Sequence, residues 1–211
     1  DLKYRRLIPY GGACSEMKKI GEGVVNKSRD DLVALLYEWV KSPSMIEHSL
    51  AVEQVMRCYA KEYGEDEDLW GLTGLLHDLD FEQFPDFSQH GLKTAEILRS
   101  LNADPAMVDA ILGHNLQLGV ARETRLARCL LASDELVGFV VACAKILPDK
   151  NIANLKVTSV VKKFKSSCFA RNVDRDEIRL GVKEFDVDFT EHVAFIIKSL
   201  MQIAPDVGLA A

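Results

Sequence analysis

Gly74-Leu75-Leu76-His77-Asp78-Leu79-Asp80 is the stretch on which the reading of this chain turns. The apolar run Leu72–Leu76 ends abruptly in a histidine and two aspartates, and Phe81, Phe84 and Pro85 follow. Pro85 stops any helix close by, because its ring removes a donor and restricts the residue before it. Adjacent residues inside a helix point about 100° apart, so His77 and Asp78 meet one ion only where the last turn frays. Imidazole beside carboxylate at the mouth of a buried helix is a donor pair suited to a divalent metal. Taken alone, the pair is more simply a frayed helix end with two solvated charges.

Working outward, 211 residues suffice for one sizeable domain or two small ones. A hydrophobic content of 48% supports a packed core and excludes overall disorder. The longest apolar runs fall short of a bilayer, and no signal-peptide pattern opens the chain. A net charge of −6 argues against broad nucleic-acid binding, so no stable nucleic-acid complex and no membrane association are expected. Cys14, Cys58, Cys129, Cys143 and Cys168 form no Cys-x-x-Cys pair and read as reduced thiols of a cytoplasmic protein.

Residues 1–28 hold Gly11-Gly12 and Gly21-Glu22-Gly23 without a steady period and read as a loosely attached arm. Met17-Lys18-Lys19 reads as a natural start, which makes residues 1–16 an extension. From Ser28 the pattern is helical, with apolar residues at 32, 33, 35, 36, 39 and 40. Ser44-x-x-Glu47 predicts a capping box for a helix reaching Tyr63, where Gly64 ends it. The acidic run Glu65–Asp68 suits the positive end of a helix over 66–79. Asp86 or Ser88 is expected to cap a helix through Leu101, and Asp104-Pro105 opens one to Gly113. A long apolar helix over 122–147 carries Asp134 in its middle and stops at Pro148. Asp174-x-x-Glu177 and Asp188-x-x-Glu191 start helices near 175–185 and 189–203. No alternating strand pattern and no repeat is present. The expected fold is all-α: a single-domain bundle of eight or nine helices over 29–205, with an arm before it and a tail over 206–211.

His48 lies one turn into its helix beside Leu50, Ala51 and Val52, His90 in a first turn, and His114 at a helix end after Ile111-Leu112-Gly113. Asp134 interrupts Leu130-Leu131-Ala132-Ser133 and Leu136-Val137, where a carboxylate is costly unless paired or bound to a cation. The ordered series His48 … His77-Asp78 … Asp134 resembles the HD-domain superfamily of metal-dependent phosphohydrolases, over about residues 30–203. The flanks Trp70–Asp80, His90-Gly-Leu-Lys-Thr-Ala-Glu-Ile-Leu98 and Ala132-Ser-Asp-Glu-Leu136 are similar to the small stand-alone prokaryotic members. The resemblance implies His48, His77, Asp78 and Asp134 as ligands of one metal, with His77 and Asp78 at the catalytic centre. It implies His90 and His114 as the added ligands of two-metal members, with Asp78 bridging. The Gly-Tyr-Pro signature of cyclic-dinucleotide hydrolysis is absent, and so are the long insertions of the members that hydrolyse deoxynucleoside triphosphates.

Imidazole and carboxylate donors without thiolate suit one or two ions of Fe, Mn, Co, Ni or Zn, with Mg also compatible. The expected function is hydrolysis of a small phosphorylated molecule, a nucleotide or another phosphate ester or anhydride, by metal-activated water. The rivals are a di-iron oxygenase of the HD type and a metal- or nucleotide-binding module without turnover. His192 reads as a surface or core residue rather than a ligand. Asp80 either steadies a ligand histidine or caps a turn. Lys93, on the helix of His90, and Lys156 and Lys162, in the basic region Lys145–Lys165, are candidates for contacting substrate phosphate, against the plainer reading of solvated lysines.

Overall fold

The computed structural model describes residues 27–210. The expectations for residues 1–16 and for most of the arm therefore lie outside the described residues, as does Cys14. Among the described residues the chain forms nine α-helices and no strand beyond an isolated bridge between Asn151 and Ala210. The helices are α1 (Arg29–Trp39), α2 (Pro43–Tyr63), α3 (Glu67–Leu76), α4 (Leu92–Ser100), α5 (Pro105–His114), α6 (Arg125–Lys145), α7 (Val157–Phe164), α8 (Arg175–Phe185) and α9 (Phe189–Leu200).

Most starts follow local capping. Ser28 and Asp31 form a reciprocal box before α1, and Asp66, Asp104, Asp174 and Asp188 each accept backbone N–H groups of the helix that follows. Ser44 and Glu47 do not form the expected box. α2 begins two residues earlier, at Pro43 with Ser42 as N-cap, and Glu47 instead takes Lys145 Nζ at 2.6 Å. The ion pair between helices outcompetes the local cap. α3 stops at Leu76, short of the expected 79, and residues 77–83 continue as turns. Neither Asp86 nor Ser88 caps α4, which starts at Leu92 with Gly91 before it at φ +86°. α6 is shorter than expected at both ends; its start is set by the Thr124 side chain, which caps Ala127 N. α7 was not foreseen as a separate helix. Residues 206–210, expected as a tail, pack on the body: Val207 and Leu209 are buried, and Ala210 exchanges hydrogen bonds with Ile152 and Lys150.

α2 and α6 form the centre. Val52, Val55 and Met56 of α2, and Leu130, Leu131, Leu136, Val137, Phe139 and Val140 of α6, are fully buried. Each such side chain contributes roughly 1.5–3 kcal/mol by leaving water. α3 lies directly on α2, because a Cβ on Gly74 would stand only 3.0 Å from the α2 backbone at Val52 and Glu53. That approach carries His77, one turn beyond Gly74, into reach of the α2 histidine. α5 and α8 pack on the flanks of α6. The result is a bundle in which α2, α3, α5 and α6 present side chains to one cavity.

Candidate metal centre

Six polar side chains meet there: His48 from α2, His77 and Asp78 at the end of α3, His90 in the turn before α4, His114 as the last residue of α5, and Asp134 from the middle of α6. One ligand atom each from His48, His77, Asp78 and Asp134 falls within 4.8 Å of the others, and the same holds for Asp78, His90 and His114. His48 Nε2 is 2.9 Å, and His77 Nε2 3.2 Å, from Asp134 Oδ1.

Asp78 divides its two oxygens between these groups. Oδ2 lies 3.4 Å from His77 Nε2 and 3.9 Å from His48 Nε2. Oδ1 lies 3.2 Å from His90 Nε2 and 3.5 Å from His114 Nε2. A carboxylate so placed spans two ion positions, one oxygen to each.

Ring orientations are set behind the centre. Nδ1 of His77 donates to Gly74 O at 2.8 Å, and Nδ1 of His114 donates to Ile111 O. His90 Nδ1 donates to Asp80 Oδ1 at 2.8 Å. Each bond occupies the outer nitrogen and leaves Nε2 facing inward as a donor to a metal. His90 Nε2 and His114 Nε2 face each other at 3.0 Å, a distance at which one ring donates an N–H to the other when no ion lies between them.

Asp80 performs both of the roles weighed for it. Fully buried, it holds His90 and also accepts the backbone N–H groups of Gly91, Lys93 and Thr94 at 2.9–3.1 Å. It therefore caps α4 from across the loop. These contacts hold the Asp80 carboxyl below its ordinary range against the effect of burial.

The electrostatics also call for positive charge. Burial disfavours the charged form of His77, yet Asp78 and Asp134 outweigh it and raise the ring to about 10. For His90, burial is likewise outweighed by Asp78 and Asp80, to about 9. Burial would raise the carboxyls of Asp78 and Asp134, but His77 and the other rings hold both well below the usual range. Burial, followed by the charge of Asp134, pushes Glu135 up to about 7 and Glu177 up to about 8. In an ion-free centre protons supply the charge that divalent ions would replace. The donor set of four imidazoles and two carboxylates, with inner nitrogens free of other bonds to the protein frame, fits such ions.

The three candidate lysines are not part of this cluster. Lys93 Nζ pairs with Glu96 at 2.6 Å, while Lys156 and Lys162 are exposed before and within α7. No hydrogen bond or ion pair among the described residues links them to the six side chains. Lys145 is held by Glu47, and Lys163 lies over the Phe169 ring. His192 is a core residue: it donates from Nε2 to Ala132 O at 2.9 Å and accepts at Nδ1 from the Tyr59 hydroxyl at 2.5 Å. Burial lowers it to about 4, so it is neutral. Phe81 and Phe87 stand edge-on to His90 and shield that side, a role their position in the sequence does not signal.

A family model for the HD domain matches residues 45–137, a stretch that contains all six side chains. No curated protein and no solved structure matches the chain.

Proposed function

The chain belongs to the HD-domain superfamily, whose members are mostly metal-dependent phosphohydrolases, and from that premise we propose that it hydrolyses a phosphate ester or anhydride of a small molecule at the His/Asp centre. The observation that carries the reading is the division of the Asp78 oxygens between two histidine groups. His48, His77 and Asp134 would hold one ion, His90 and His114 a second, and Asp78 would reach both. When bound, divalent ions supply Lewis acidity toward phosphoryl oxygens and lower the pKa of water.

The chain's own contribution is placement. Gly74 O, Ile111 O and Asp80 fix three rings so that Nε2 points inward before any ion arrives. Asp134 closes the first group from the α6 side. Leu75, Leu76 and Leu79, which flank His77 and Asp78 along the chain, are fully buried, so this end of α3 is anchored in the core.

The same ligands suit a di-iron oxygenase, so the test must separate hydrolysis from oxidation. Ion-free protein is reloaded with Mn, Co, Zn or Fe and screened, with and without air, against nucleotides and phosphomonoesters for released phosphate. Release by the Mn form without oxygen supports hydrolysis, since a Lewis acid suffices there. Its loss in Asp78→Ala excludes a contaminating phosphatase. Silence of the Mn form, combined with oxygen uptake by the iron form alone, overturns the proposal.

A further inference from the structure

Most of the centre is closed to solvent. The side chains of His77, His90 and His114 are 0%, 3% and 4% exposed, whereas those of His48, Asp78 and Asp134 are 21%, 16% and 14% exposed. The opening therefore lies over His48, Asp78 and Asp134. Gly138 sits at this opening, one turn beyond Asp134 on the same face of α6, and is itself partly exposed.

A glycine inside a helix costs roughly 0.5–1 kcal/mol relative to alanine. Close packing accounts for Gly181 on α8, where a Cβ would stand 2.7 Å from the α6 backbone. It does not account for Gly138. A Cβ there would meet only the His48 ring, at 3.8 and 3.9 Å, which is ordinary contact. The protein has room for a methyl group at 138 and leaves it open, beside a ligand histidine. Further along the same stripe Val141 and Ala142 are also partly exposed, so the α6 surface beyond Gly138 is apolar as far as Lys145, whose charge Glu47 pairs at 2.6 Å.

Resting on the phosphohydrolase reading, we infer that the α6 surface at Gly138, beside His48 and ahead of Val141 and Ala142, receives the organic group of the substrate, and that the missing side chain at 138 sets how large that group is. The phosphoryl end lies at the ions, and the apolar surface formed by Gly138, Val141 and Ala142 suits an uncharged organic group there.

The test uses Mn-loaded protein and two probes that are not turned over: inorganic phosphate, which is small, and 1-naphthylphosphonate, which carries two fused rings. Titration calorimetry is run on the native chain, Gly138→Ala and Gly138→Leu, with metal stoichiometry measured on each. Gly138→Leu should keep its Mn content and bind phosphate within about threefold of the native chain, yet lose at least about tenfold for naphthylphosphonate. Gly138→Ala should lose less and melt higher. Unchanged naphthylphosphonate affinity in the leucine variant, equal weakening of both probes, or loss of Mn would overturn the inference. Should the native chain bind neither probe, the phosphohydrolase reading is what fails. The surface is then judged by release of cobalt from Co-loaded protein to a chromogenic chelator: slowing of about tenfold in Gly138→Leu keeps Gly138 at the mouth, and an unchanged rate removes it.

Discussion

Asp80→Asn is the substitution whose outcome follows most directly from the geometry. Asp80 is fully buried and accepts from four donors: His90 Nδ1 and the backbone N–H groups of Gly91, Lys93 and Thr94. Asparagine has the same shape but only one acceptor oxygen. If that oxygen faces His90, the new NH2 opposes the donors of Lys93 and Thr94, and each buried donor left unpaired costs about 1–3 kcal/mol. The favoured orientation therefore turns the oxygen to the helix and the NH2 to His90. His90 must then accept at Nδ1 and carry its proton on Nε2, 3.2 Å from Asp78 Oδ1, where it can no longer ligate an ion. Loss of the negative charge at the start of α4 adds roughly 0.3–1 kcal/mol. The net cost to the fold should be about 1–2 kcal/mol, or a fall in Tm of about 3–6 °C at this size. Affinity at the His90/His114 position should fall about 10–100-fold, while the His48/His77/Asp134 position is unchanged. Cobalt titration of ion-free protein, followed by calorimetry and visible absorption, resolves the two steps. Two unchanged affinities beside a lowered Tm would make Asp80 a helix cap and nothing more. Equal loss at both positions would mean that the loop as a whole has moved.

Metal uptake should depend on pH with a defined sign. The folded-state values of His77 and His90 are raised, to about 10 and about 9, so in the ion-free protein their stabilising contribution is full below the ordinary histidine value and is lost as pH rises through 9 and 10. Ions displace these protons, so metal affinity should climb by roughly two log units per pH unit from about 7 to 9, and calorimetry in buffers of different ionisation enthalpy should register the released protons; a flat profile would contradict this. Gly181→Ala should destabilise by about 1–3 kcal/mol in chemical denaturation, because its Cβ would press at 2.7 Å on Ala132 Cα and Leu131 O. Unchanged stability there would mean that α8 shifts freely on α6.

What the sequence disclosed and what it withheld divide along the range of the interactions. Asp66, Asp104, Asp174 and Asp188 announce their helices because a cap acts on N–H groups two or three residues away. Ser44 and Glu47 make an equally good local signal, but Glu47 is drawn to Lys145, far along the chain. The start of α4 was misplaced for a related reason: its capping carboxylate, Asp80, lies outside the helix's own neighbourhood in sequence. α7 hid inside a basic run with no side-chain cap to mark it. In the centre, the order of the histidines and aspartates was legible, since each stands out against an apolar stretch. Asp78 as a ligand shared between two ions was expected as well. Which histidine Asp80 holds, that it also caps α4, and the opening at Gly138 were not legible, because they exist only once α2, α3, α5 and α6 are packed.

The six inward-facing side chains are drawn from residues spread between positions 48 and 134, on three helices and two turns. Whatever occupies their midst fastens together parts of the chain that an unfolded polymer would keep far apart. Such an occupant acts as a removable clasp, and the grip it exerts on the whole body is a measure of its own affinity, growing as RT ln(1 + [L]/Kd) for anything that holds the folded form alone. Heat can therefore rank the ions the centre holds before any reaction is known. The cation that lifts the unfolding temperature furthest at equal concentration is the one held most tightly, and a ligand that adds a further increment only in its presence is one whose binding depends on that ion.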